Sequence, residues 1–264
     1  MPETISSVQN PRVKNLVRLR HGGHRKRQGR FLVEGLREIE RAIQCQWPLE
    51  SLFFCEDLFK SDDSFDLLHL AEEKDIEMVR LSTDAFQKAA YRQGADGLLA
   101  VAHQREVCLE QLELSETPLL VIVESIEKPG NLGAILRTAN AAGADALVIA
   151  DRVTDPFNPN AIRASQGAFF QLPFCCSDNP TIIDFLERRK IQIVATSPDS
   201  DQLLWDANLT KPTALVFGSE DAGLSGDWLQ NFSPFKLPMN GVSDSLNVAS
   251  TVAIGLFEAV RQRL

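Results

Sequence analysis

LVFGSEDAGL (215–224) and, after a short gap, LPMNGVSDSLNVASTVAIGLFEAVRQRL (237–264) decide the fold of this chain. The apolar run Thr213 to Phe217 reads as a buried strand. It breaks into a loop carrying Gly218, Glu220 and Gly223, where glycine allows tight backbone approach and positive φ. A second apolar piece, Phe235 to Met239, leads to another loop at Gly241. The pattern then predicts a helix from Asp244 or Ser245, either of which can cap its free amides. Val248, Ala249, Val252, Ala253, Ile254, Leu256, Phe257 and Val260 make that helix apolar nearly all round, so it belongs in an interior or at a subunit interface. Its first turn nevertheless holds Ser245 and Asn247 beside Leu246. Two loops and a polar helix start, all following strand ends, predict a ligand site.

Upstream, PLLVIVESI (118–126) reads as a buried strand and EKPGNLGAILRTANAAGA (127–144) as a Pro-Gly turn into a helix stopped by Gly143. ALVIA (146–150) is a strand. RVTDPFNPNAIRASQGAFFQLPFC (152–175) is a loop with a short helix at 160–168 and a short strand. TIIDFLERRK (181–190) is an amphipathic helix, and IQIVATS (191–197) a buried strand. Strands alternating with helices predict a mostly parallel sheet covered by helices on both faces. Residues 31–102 show the same alternation, with strands at 31–34, 51–55, 76–81 and 97–102 and helices at 35–46, 62–74 and 83–90, hence a smaller α/β unit of their own. QREVCLEQLELSET (104–117) reads as an acidic connector. The expected domains are therefore 1–105, a linker at 106–116, and 117–264.

Net charge is −9, yet residues 1–42 carry +6 and leave −15 for the remainder. A basic end on an acidic body suits a local polyanion contact. Within it Val13, Leu16, Val17 and Leu19 mark the apolar face of a short helix, and GGHRKRQGR (22–30) reads as a flexible basic loop. Arg12, Lys14, Arg25, Lys26, Arg27 and Arg30 are the expected polyanion contacts. No run approaches the ~20 apolar residues of a membrane span, and the polar N-terminus lacks a signal-like apolar stretch. Five cysteines without metal-ligand spacing read as reduced, packed thiols, so a cytoplasmic protein without metal is expected.

The motifs that are absent narrow the chemistry. No P-loop string is present, PGNLGA only loosely approaches a dinucleotide fingerprint, and no GxSxG elbow occurs. What remains is Asn131 and Arg137 in one segment, Glu220 in a second, and Ser245 and Asn247 in a third. Taken together, NLGAILRTA (131–139), VFGSEDAGLS (216–225) and LPMNGVSDSLNVASTVAI (237–254) resemble the three motifs of the SpoU, or TrmH, family of RNA ribose 2′-O-methyltransferases. NPRVKNLVRLRHGGHRKRQGRFLVEG (10–35) more loosely resembles the RNA-binding domain that precedes the catalytic domain in rRNA-modifying members.

The resemblance implies a C-terminal α/β domain closed by a trefoil knot, and S-adenosylmethionine as the methyl donor. Backbone groups of three loops would hold the donor, at Ala195–Ser197, Phe217–Gly223 and Leu237–Leu246, which nominates Thr196, Gly218, Leu237, Met239 and Leu246. It implies a homodimer through the last helix, and it nominates Asn131, Arg137, Glu220, Ser245 and Asn247 as catalytic. Arg137 matches the family's essential arginine. A guanidinium stays protonated near neutral pH and makes an awkward base. The preferred role is a clamp on the substrate phosphate that also stabilises a developing alkoxide. For Glu220 the plainer reading is a cap on a helix at 223–229, and for Ser245 an N-cap.

The expectation is thus 2′-O-methylation of RNA, with the appended basic domain favouring rRNA over tRNA by analogy. A catalytically silent ribosome-assembly factor would keep the fold without the polar residues, which are all present here. A small-molecule methyltransferase would not need the basic patch.

Overall fold

In the computed structural model, which describes residues 2–264, the chain forms two units. The first joins the residues up to Arg105 with Pro156–Gln171; the second joins Glu106–Asp155 with Leu172–Leu264.

The first unit opens with strand β1 (Glu3–Ile5) and helix α1 (Pro11–Leu19). Asn10 starts α1, its side chain accepting from Arg12 N at 2.8 Å, with Pro11 in the first turn where a missing N–H costs nothing. Val13, Leu16 and Leu19 are its buried stripe. Residues 22–28 then form helix α2 (Gly22–Gln28), not the flexible loop that the charge suggests. Two devices fix it. Gly29 takes the left-handed conformation (φ 62°) that ends the helix, and the Arg25 side chain, 2% exposed, donates to the Leu19 and Arg20 carbonyls at 3.0 and 2.7 Å.

Next come β2 (Arg30–Glu34), α3 (Leu36–Gln44), β3 (Leu49–Phe54), α4 (Asp63–Glu73), β4 (Glu77–Leu81), α5 (Thr83–Ala89) and β5 (Leu98–His103). The strands form a mixed sheet in the order β1-β4-β3-β5-β2, parallel on the β1-β4-β3 side and antiparallel at β5. Ile5, Leu16, Leu32, Val79, Phe86 and Leu99 belong to its core.

The second unit runs through β6 (Leu119–Glu124), α6 (Pro129–Ala141) and β7 (Ala146–Ala150). The chain then makes α7 (Pro159–Ala164) and α8 (Ala168–Gln171), which group with the first unit, not with the second as the alternation suggests. The reason is aromatic: Phe157 and Phe169 pack on Phe31 (ring centroids 5.0 and 5.8 Å), and Phe169 and Phe170 on Trp47 (5.5 and 5.4 Å). β8 (Phe174–Ser177), α9 (Asn179–Arg188), β9 (Gln192–Ala195), β10 (Thr213–Phe217), the short α10 (Gly226–Leu229) and α11 (Val248–Arg263) complete it.

Its sheet, β8-β7-β6-β10-β9, is parallel throughout. Every residue of β6, β7 and β10 is buried, as strands covered on both faces require. Residues 106–116, expected as a linker, are part of this unit, because Leu109 and Leu112 are buried in the same cluster as Leu120, Val148, Phe185 and Trp228.

Helix α11 starts three residues later than Ser245. Asn247 is its cap, accepting from Ala249 N at 3.0 Å, which removes the capping role read for Asp244 or Ser245. It packs on α6 and β10, and a Cβ at Gly255 would lie 3.0 Å from the Phe217 ring, so glycine lets the helix approach the strand.

Candidate active site

From β6 the chain winds one way to β7 and β8; β10 and β9 lie on the other side. The step between β6 and β10 is therefore the switch point of a parallel sheet, where the loops leaving the C-terminal strand ends diverge and open a crevice. Next to it, at the C-terminal ends of β9 and β10, the loops leaving these two strands, the segment 235–239 and the approach to α11 line a cavity of about 390 Å³, large enough for a nucleoside-sized ligand. Thr196, Gly218, Leu237, Met239 and Leu246 all line it, as do Glu220 and Ser245.

The cavity is built for backbone contact. A Cβ on Gly218 would fall 2.1 Å from the Gly223 carbonyl carbon, so the loop closes on itself only with glycine there. Ser219 and Gly223 exchange backbone hydrogen bonds across that turn, at 3.0 and 3.2 Å. Phe235 N donates to Ala195 O and Ser197 N to Phe235 O, both at 2.9 Å, holding residue 235 against the end of β9. Among the described residues, by contrast, the backbone of 237–246 makes no hydrogen bond to other backbone. Those amides and carbonyls are free for a ligand's polar edge, which fits the donor expected from the sequence.

At the mouth, Glu220 accepts from Asn131 Nδ2 and pairs with Lys128. Asn131 Oδ1 in turn accepts from Asn247 Nδ2 at 3.3 Å, while Asn247 Oδ1 caps α11. One chain of contacts thus links the start of α6, the loop after β10 and the start of α11, the three strings singled out in the sequence. Glu220 does not cap the short helix that follows its loop; α10 begins at Gly226.

Lys128 escaped the sequence reading, although a signal exists. It occupies the N-cap of α6, where a cation meets the positive end of the helix dipole and is unfavourable unless a carboxylate lies close. The hydrogen bond from Lys128 to Glu220, then the carboxylate's charge, hold the ammonium above its ordinary range.

Ser245 lines the cavity and makes no hydrogen bond among the described residues. Arg137 is exposed on α6, and no contact among the described residues joins it to Glu220, Asn131 or Asn247. Of the six expected RNA contacts, Arg12 is committed to Glu3 and Glu77, and Arg30 to Glu50. Arg25 is buried and offers no surface to a phosphate, a correction to the expectation. Lys14, Lys26 and Arg27 are exposed.

Beneath the mouth, a buried polar group fixes the loop. Asn179, fully buried, donates to Glu124 Oε1, to Asp151 Oδ2 (2.9 Å) and to Ser225 Oγ (3.2 Å), and accepts from Trp228 Nε1 (3.0 Å). Glu124 Oε2 accepts from Ser225 N at 2.8 Å. The end of β6, the end of β7, α9 and the far side of the 218–225 loop are tied at one asparagine. Among the described residues no cluster of His, Cys, Asp or Glu could hold a metal ion, and no helix is long and apolar enough to cross a membrane.

Fold and site together define an α/β protein with a nucleoside-sized cavity at the C-terminal strand ends of a parallel sheet. The chain belongs to the SpoU rRNA methylase family, whose model matches residues 118–257; a second, the MRM3-like substrate binding domain, matches residues 10–100. It is 32% identical over 249 residues to a 23S rRNA (uridine(2479)-2′-O)-methyltransferase of Streptomyces viridochromogenes, across 91% of this chain and 85% of that one. It is 29% identical to a 23S rRNA (guanosine(2553)-2′-O)-methyltransferase of Bacillus subtilis, across 95% and 96%. Among solved structures, an AdoMet-bound rRNA methyltransferase from Sinorhizobium meliloti superposes with a TM-score of 0.90 at 27% identity, across 99% and 98% of the two chains.

Proposed function

We propose that this protein transfers a methyl group from S-adenosylmethionine to a ribose 2′-hydroxyl of RNA, with ribosomal RNA as the substrate class. The observation that carries the reading is the convergence of Asn131, Glu220 and Asn247 at the mouth of a glycine-looped cavity whose 237–246 wall has unspent backbone groups. The Streptomyces and Bacillus relatives named above are 23S rRNA 2′-O-methyltransferases, and the chain aligns with them along most of their length.

When bound, the donor supplies an electrophilic methyl on a sulfonium, so the chain must align an oxygen and help it lose its proton. Thr196, Gly218, Leu237, Met239 and Leu246 would seat the donor through the surrounding backbone. Glu220, held by Lys128 and Asn131, would fix the loop at the reacting edge. Arg137 would grip a phosphate of the incoming strand, and Ser245 would contact the nucleotide. Residues 1–105 would present the RNA, with Lys14, Lys26 and Arg27 as backbone contacts.

Strand β10 seated between β6 and β9, with α11 folded back on α6 and β10, supports the knotted path of the family's fold. Ile254 and Phe257 remain 36% and 50% exposed on α11, which supports a homodimer through that helix. Replacing both with Ser should lower the mass seen by light scattering from two chains to one.

The test of function is transfer of label from methyl-tritiated donor to deproteinised ribosomal RNA or bulk tRNA, followed by mapping of 2′-O-methyl positions. Label at a ribose of rRNA is the expected result. Label in tRNA alone would replace the substrate, and no transfer to either would leave a silent assembly factor.

A further inference from the structure

Helix α3 buries Ile39, Ala42 and Ile43 and turns Arg37 and Arg41, four residues apart, to its exposed side. Across an open cleft of about 510 Å³ stand Arg163, at the end of α7, and Gln166. The turn after α7 is shaped to meet these arginines. Gln166 takes a positive φ (49°), uncommon for a residue with a side chain, and its Oε1 accepts from Arg37 Nη1 at 3.1 Å. Gly167 follows at φ 92°, and a Cβ there would lie 2.6 Å from Arg41 Cγ, so only glycine lets the arginine stem cross the turn.

Four arginines, Arg37, Arg41, Arg92 and Arg163, line the cleft against three carboxylates, Glu38, Glu40 and Asp96. Arg92 is neutralised by Glu34 (3.2 Å) and Asp96 (3.1 Å). Glu38 is 9% exposed, and burial pushes its carboxyl up toward the neutral form. Glu40 accepts from Gln44 at 3.1 Å. Gln166 and Gln44 take one N–H each from Arg37 and Arg41 and no charge, and Arg163 has no acceptor among the described residues. Three guanidinium forks therefore face an open, polar cleft, those of Arg37 and Arg41 positioned by neutral partners. That chemistry suits the sugar–phosphate backbone of a nucleic acid.

We infer that this cleft is a second RNA-backbone site, separate from the exposed basic residues of α1 and α2, in which Arg37, Arg41 and Arg163 each take a phosphate oxygen. The inference rests on the RNA reading above and extends it. Neither matched stretch holds the cleft alone: Arg37 and Arg41 lie within 10–100, Arg163 and Gln166 within 118–257. Substrate RNA that enters it is gripped by residues from both stretches.

The experiment uses the full chain with a mixed-sequence 20-nucleotide RNA and with deproteinised ribosomal RNA, titrated at several KCl concentrations. Replacing Arg37 and Arg163 together with Gln should weaken binding on the order of tenfold or more at 0.1 M salt. It should also lower the slope of log affinity against log salt by roughly 1.4–1.8, about 0.7–0.9 for each phosphate left unneutralised. The Lys pair, R37K with R163K, should keep the slope while binding somewhat more weakly, and calorimetric titration of S-adenosylmethionine should be unchanged in both variants. If the wild type binds RNA and the Gln pair shows the same affinity and slope, this inference is wrong and the function stands. If the wild type binds neither RNA, both fall together.

Discussion

Arg137 is exposed on α6, with no hydrogen bond or ion pair among the described residues, and its proposed role is to meet the substrate. Two roles are open to it, phosphate clamp or base, and they predict different variants. Arg137→Ala should lose roughly 3 kcal/mol of transition-state stabilisation in either case, the scale of removing one charge-stabilising donor. Arg137→Lys separates them. A clamp keeps its charge but loses the fork, so affinity and rate fall together and the pH profile stays parallel to wild type. A base replaced by an amine that titrates near ~10.4 would show a rate climbing with pH that the parent lacks. Single-turnover rates from pH 6 to 10 at saturating RNA decide, and a new titration step unique to the Lys enzyme would sink the clamp. Residue types were legible in the sequence here and their company was not. Nothing in KPGNLG (128–133) reveals that Lys128 and Asn131 meet at one carboxylate from the loop after β10, because only the parallel pairing of β6 with β10 brings the two turns together.

The loops of the cavity depend on elements beneath them, and Asn179 is where that dependence can be measured. Asn179→Leu would leave Glu124 and Trp228 Nε1 buried without their partner, a loss of about 2 kcal/mol or more, since each stranded polar group costs ~1–3 kcal/mol. Urea unfolding should report that loss. Donor affinity should fall further than RNA affinity, because Ser225 Oγ, at the end of the loop carrying Glu220, loses its tie to α9 while the first unit is untouched. Equal losses for both ligands would make Asn179 a stability residue only. At the far end of the unit, Arg261 donates twice to Glu258 on α11 and, with Gln262, holds its carboxyl at about 2. A carboxyl below its unfolded value adds stability that is complete above about pH 4.3 and is lost as pH falls through the folded value. Arg261 is exposed, so the contribution is ~1 kcal/mol at most. The melting temperature of Glu258→Gln should lie below wild type at pH 7 and converge with it near pH 2. A gap that persists there would assign the loss to packing.

The two-unit plan was legible at the scale of the whole chain, because the strand and helix periods of 31–102 and 118–217 are regular and the strands of the second sheet are apolar throughout. What the periods could not carry is the exchange in the middle. A helix at 160–168 looks like the crossover of a parallel sheet whichever body it packs on, and only Phe31 and Trp47, more than a hundred residues upstream, place it with the first unit. The units are therefore not separable by one cut, and the cut at 105/106 tests this. A fragment of residues 106–264 keeps every donor-loop residue but strips Phe157, Phe169 and Phe170 of their partners. Each buried ring contributes roughly 1.5–3 kcal/mol, so the exposed cluster weighs about as much as the whole stability of a small domain, ~5–15 kcal/mol. The fragment alone should aggregate, melt without a cooperative transition and bind no S-adenosylmethionine in calorimetry. Co-expressed with residues 1–105 it should be recovered as a complex that binds the donor like the intact chain, because the aromatic contacts re-form without the peptide bond between 105 and 106. A fragment 106–264 that is monodisperse and binds donor with wild-type affinity would show that 156–171 contributes nothing the second unit needs.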